Sequence, residues 1–118
     1  MTNLWRETIV AQYLIRTKYT GSAFKGMLTQ PSDRSEAIKG MFKALGLNVQ
    51  SVLYSVSTAE VLILCEGTHD PMKTAAAEMV VMASGTASDV QVLEVIDAAT
   101  MTEAMKFGGQ LAGLYKPA

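Results

Sequence analysis

The densest apolar run in the chain is Val52-Leu-Tyr-Ser-Val-Ser-Thr-Ala-Glu-Val-Leu-Ile-Leu-Cys-Glu66, which reads as two adjacent strands joined at Ser57-Thr58-Ala59. The joint lacks Asn-Gly or Asp-Gly, so a bulge or a slightly wider loop is expected there. Upstream, Ile9 to Thr17 alternates, with Ile9, Ala11, Tyr13 and Ile15 on one side and Val10, Gln12, Leu14 and Arg16 on the other, which predicts a first strand. Asp89 to Asp97 predicts a last one. Helical spacing fills the intervals between them. Ala37, Ile38, Met41, Phe42 and Leu45 share one helical face behind an Asp33/Glu36 capping pair, and Gly46 ends that helix. Asp70 caps a second helix with Pro71 at its first position; Met72, Ala75, Ala76, Met79 and Ala83 are expected to face the core, and Gly85 stops it. Thr100 with Glu103 opens a last helix, weakened by Gly108-Gly109, before a Tyr115-Lys-Pro-Ala tail.

Between the first strand and the first helix, Lys18 to Ser32 reads as a loop containing Gly21, Gly26 and Gln30-Pro31, with Ala23 to Leu28 as a short helical turn at most. A connection that long is often functional or serves assembly. The order is therefore α+β, a ferredoxin-like βαββαβ with a four-stranded antiparallel sheet, two helices on one face and a C-terminal helix. The expected division is an N-terminal arm at 1–8 anchored by Trp5, the domain at 9–99, and a C-terminal helix and tail at 100–118.

Alternation in the central strands leaves both sheet faces apolar: Val61, Ile63 and Cys65 on one side, Leu62 and Leu64 on the other. Two helices cover one face only. The other would leave a large apolar patch in water, and the same face of a second copy is the simplest cover.

Composition sharpens this picture. Charged residues make up 18% of the 118, below the roughly 25% typical of soluble domains, while hydrophobic residues make up 49%. That shortage of polar surface agrees with a homodimer or higher oligomer. The net charge of −1 comes from scattered rather than clustered charges, so a nucleic-acid partner is not expected. No apolar run approaches the roughly 20 residues that span a bilayer, and no signal-like pattern opens the chain, so no membrane partner is expected. The single cysteine, Cys65, lies in the apolar run and suits a buried thiol in a reducing cytoplasm.

The chain resembles the GYD-domain family over Tyr13 to Asp97. The resemblance rests on Tyr19-Thr20 and Phe24-Lys25-Gly26, on Gln30-Pro-Ser-Asp-Arg34, on Leu45-Gly46, and on the hairpin ending at Glu66. It implies a ferredoxin-like fold whose sheets pair as a dimeric α/β barrel. The tripeptide that names the family falls on Ser57, Ala59 and Glu60, where only the acid survives. By fold-level analogy, such barrels host cofactor-free monooxygenases, isomerases, cyclases and lyases in apolar cavities.

The candidate chemistry is sparse. Glu60 beside an apolar pocket is a candidate general acid or base with a raised pKa, against the plainer reading of a salt bridge; Glu66 is weighed the same way and ranks below it. His69, the only histidine, is a candidate proton carrier, against the plainer reading of an exposed loop residue. Tyr13 and Tyr54 point from strands and are candidates to line a ligand cavity, with Arg34 and Lys25 as its cations; Arg34 can hold a carboxylate in a fork, against pairing with Asp33, Glu36 or another subunit. One histidine and one cysteine make no metal site within the chain, and no cofactor is implied.

Two functional readings follow. One is a self-associating domain binding a small, largely apolar molecule beside the sheet, with cofactor-free isomerase, cyclase, lyase or monooxygenase chemistry as its enzymatic form. The other is an assembly or regulatory module without a pocket. A cavity lined by Tyr13, Tyr54 and Glu60 is the expected mark of the first.

Overall fold

A computed structural model describes residues 11–118. The arm with Trp5 and the first two residues of the strand expected from Ile9 lie outside the described residues. Strand β1 (Ala11–Tyr19) runs two residues beyond its expected end at Thr17 and occupies the interior of the sheet, between β3 (Glu60–Gly67) and β4 (Ala87–Val95). Strand β2 (Leu47–Ser55) pairs on the far side of β3, so the order is β2-β3-β1-β4 with every neighbour antiparallel. With the helices described below on one side, this is the expected α+β arrangement of ferredoxin-like type.

The register separates the two faces of the sheet. Tyr13 opposes Cys65, Ile15 opposes Ile63 and Thr17 opposes Val61 on the helix side. Tyr13, Ile15, Val61, Ile63 and Cys65 are buried there, together with Leu47 and Phe42. Leu14 lies between Leu64 and Leu93 on the open side, and Leu62 lies between Leu53 and Arg16. A bulge at Gln50 shifts the β2 register and turns its amide to Glu66 Oε1, 2.9 Å away.

The Lys18 to Ser32 stretch is not a loop. It holds helix α1 (Gly21–Thr29), capped by Thr20, whose hydroxyl oxygen accepts from Ala23 N at 3.1 Å and donates to the Gly85 carbonyl at 2.8 Å. Two glycines weaken this helix intrinsically. Its inward residues Ala23, Phe24 and Met27 supply tertiary support, with Phe24 edge-on to Tyr19 at 5.8 Å.

Helix α2 (Ser35–Ala44) buries Phe42 and packs Ile38 and Leu45 beside it, as expected, whereas Ala37 is exposed and Met41 lies at the margin. Its start differs from the expected capping pair. Asp33 Oδ1 accepts from Ser35 N at 2.8 Å and from Ser35 Oγ at 2.7 Å, a local Asx-type turn, and no side chain caps the helix at Arg34. Gly46 ends α2 at φ 81°.

Helix α3 (Pro71–Ala83) begins as expected, with Asp70 Oδ1 accepting from Met72 N at 3.0 Å. Its inward face is different. Thr74, Ala77, Glu78 and Val81 turn toward Ile15, Val90 and Val92, leaving Met72 and Met79 about two-thirds exposed. The sequence there is apolar nearly all round, so spacing alone does not select the packed stripe.

Helix α4 (Ala98–Ala112) is capped by Asp97, which accepts from Thr100 N at 2.8 Å, rather than by Thr100. None of its residues is buried, and the stripe of Met101, Met105 and Leu111 is exposed. The radius of gyration of 17.9 Å exceeds the about 13 Å of a compact chain of this size, in keeping with a projecting α4. No helix among the described residues is long and apolar enough to cross a membrane.

Candidate functional site

The helix layer does not fill the sheet evenly. Between α1, the Gln30–Arg34 connection, α2 and the helix side of the sheet lies a cleft of about 940 Å³, open on one side. Its floor is Val61 and Ile63 of β3, its walls are Ala23, Met27, Ile38 and Phe42, and its polar groups include Tyr19, Tyr54, Gln30, Asp33 and Arg34. β1 delivers Tyr19 by parity with Tyr13, Ile15 and Thr17; β2 delivers Tyr54, which opposes Val61. Arg34 arrives at the end of the connection, where the Asp33–Ser35 turn leads directly into α2.

Burial raises the Tyr19 phenol above its ordinary pKa, the Tyr54 hydroxyl adds to the effect, and the Arg34 guanidinium opposes it. The three groups therefore share one electrostatic environment. Asp33 is held below the usual carboxylate range by its bonds from Ser35.

Of the six principal candidates from the sequence, Tyr54 and Arg34 meet in this cleft. Tyr13 lies elsewhere, six residues from Tyr19 and so about 20 Å along β1. His69 is half-buried against it rather than exposed, with ring centroids 5.4 Å apart. Burial raises the Tyr13 phenol, and the Glu94 carboxylate adds to the shift. Lys25 is exposed on α1 and does not line the cleft.

Glu60 is on the opposite face of the sheet, in a two-bond pair with Arg16: Nε to Oε2 at 2.9 Å and Nη2 to Oε1 at 3.0 Å. Those bonds hold its carboxyl below the ordinary range, with Thr58 adding to the shift, the reverse of the raised value expected beside an apolar pocket. A single cavity lined by Tyr13, Tyr54 and Glu60 is thus not formed; strand parity puts Glu60 with Leu62 and Leu64. Glu66 shares that open face and accepts from Gln50.

Tyr19 lines the cleft without being among the candidates expected from the sequence. Its signal was present in the alternation of β1, which continues two residues past Thr17. Cys65 is fully buried, and burial pushes its thiol up to about 11. No group of three or more potential metal-ligating side chains occurs among the described residues.

Fold and cleft together define an α+β domain of ferredoxin-like type with an apolar recess beside its sheet. The family model for the GYD domain matches residues 13–105, and the chain belongs to that family. No curated protein and no solved structure gives a significant match. Tyr19, Gly26 and the Gln30–Arg34 segment, which carry the resemblance, all line the cleft.

Proposed function

We propose that the protein is a self-associating domain that binds a small, largely apolar molecule in the cleft between the α1–α2 segment and the sheet. The observation that carries this reading is the cleft itself. A space of about 940 Å³ over Val61 and Ile63 is within the size of small-molecule sites, and it combines an apolar floor with polar groups that include Tyr19, Tyr54 and Arg34. Tyr54 and Arg34 are its ligand contacts, joined by Tyr19. In an enzymatic form, cofactor-free isomerase, cyclase, lyase or monooxygenase chemistry would occur there, with the two phenols as hydrogen-bond donors.

Self-association is supported by the open face. Its centre is Leu14, Leu53, Leu62, Leu64 and Leu93, with Leu53 62% and Leu93 40% exposed. Both signs of charge surround that centre, Arg16 and Lys18 with Glu60, Glu66 and Asp89, so the face is complementary to itself under a two-fold axis. The assembly-only reading draws on the exposed methionines of α3 and α4, but gives the cleft no role.

An NMR titration of isotope-labelled protein with phenylbutanol tests the binding site. Shifts are expected at Ala23, Phe42, Tyr54 and Ile63. Gly26→Phe should abolish them, because Gly26 lines the cleft and a Cβ there meets no atom within 4 Å. Shifts confined to the open leucine face, or none, would contradict the reading.

A further inference from the structure

The cations and acids around the cleft narrow the chemistry of what it holds. Among the described residues, Arg34 is the only basic residue in its lining and Asp33 the only acid. Asp33 spends Oδ1 on Ser35. Glu36, the next acid along the chain, is paired with Lys39 at 3.4 Å. The ion pairs among the described residues use Arg16, Lys39 and Lys106, and none uses Arg34. The sequence expectation that Arg34 pairs with Asp33 or Glu36 is therefore not met, and among the described residues its guanidinium, at the edge of an apolar recess, has no ion-pair partner.

We infer that the cleft takes a carboxylate-bearing apolar compound, with its anionic head on Arg34 and its body over Val61, Ile63 and Phe42. This inference rests on the cleft being the binding site. A guanidinium presents parallel N–H donors that match the two oxygens of a carboxylate, and charge-assisted bonds of this kind are strong where water is partly excluded. Tyr19 and Tyr54 supply neutral donors beside it, and the Tyr19 phenol is already within the electrostatic reach of Arg34. One cation with no lysine among the described lining residues suits a single negative charge. A dianionic phosphate would need more compensation than the cleft offers, and a polar sugar would leave its hydroxyls unpaired over Val61, Ile63 and Phe42.

The experiment compares phenylbutyrate with phenylbutanol, which share a body and differ in the head, at neutral pH and low salt by calorimetry, with NMR to locate binding. The acid is expected to bind at least about tenfold more tightly. Arg34→Met should erase that preference, with the acid losing at least about tenfold in affinity and the alcohol losing less, and Arg34→Lys should keep only part of it. Arg34 is exposed and its side chain caps nothing, so these variants retain the fold, which an unchanged circular dichroism spectrum and urea midpoint verify. Equal affinity for acid and alcohol, or a preference that survives Arg34→Met, overturns the carboxylate inference and leaves the cleft as a binding site. Failure of both compounds to shift cleft residues overturns the binding site and this inference with it.

Discussion

Leu62→Asp distinguishes a face that pairs from one that merely meets water. Leu62 is half-buried on the open side of β3, with Leu53 and Arg16 as cross-strand neighbours. In a lone chain the new carboxylate points to solvent, and the cost is that of a surface change, within about 1 kcal/mol. In a two-fold pair the position enters the interface twice, and each buried carboxylate without a partner costs about 3–5 kcal/mol. The pair therefore loses about 6 kcal/mol or more, which at about 1.4 kcal/mol per decade is a weakening of at least about 10⁴-fold. Sedimentation equilibrium should find the parent at least dimeric at micromolar concentration and Leu62→Asp monomeric. Circular dichroism should find both folded. Equal association of the two proteins would refute the pairing. A variant that is unfolded would refute the assignment of Leu62 to an outer face.

Four further outcomes follow from individual residues. Gly67→Ala should lower the unfolding free energy measured in urea by about 3 kcal/mol or more, because φ is 145° and a Cβ would lie 2.5 Å from the Gly46 carbonyl oxygen. Asp70→Ala should cost about 1 kcal/mol in the same assay, with Asp70→Asn restoring most of it, since the side chain caps α3. Glu60 has a folded pKa below its unfolded value, so its contribution is present above the ordinary carboxylate pKa of about 4.3 and is lost as pH falls through the lowered one. Acid unfolding of Glu60→Gln should accordingly be less steep below that pH than that of the parent. Cys65 should resist a disulfide reagent at pH about 8 until urea unfolds the chain, because the thiol is buried and its pKa is pushed to about 11.

The sheet was legible because its strands carry period-two alternation with a consistent meaning: Val61, Ile63 and Cys65 do face the helices, and Leu62 and Leu64 do not. The expected grouping of Glu60 with Tyr13 and Tyr54 failed on that same alternation, since Glu60 shares parity with Leu62 while Tyr54 pairs with Val61 on the helix side. Helix α1 was hidden by Gly21 and Gly26, whose weak propensity is overridden by the Thr20 cap and by Ala23 and Met27 against the body. The packed stripe of α3 was hidden for the opposite reason, an excess of apolar residues on every side. Tyr54 and Arg34 were legible as candidates from residue type alone. Their meeting was not, because it depends on the β2–β3 register, with its bulge at Gln50, and on the Asx turn that positions the start of α2.

The division of the sheet into a binding side and a pairing side is tested most directly by a crystal structure of the protein grown with phenylbutyrate. The predicted result has Leu14, Leu53, Leu62, Leu64 and Leu93 of two copies in contact, and the ligand outside that interface with its carboxylate on Arg34. Leucines left in solvent, with α1 collapsed onto Val61 and Ile63 so that the cleft is filled, would contradict it.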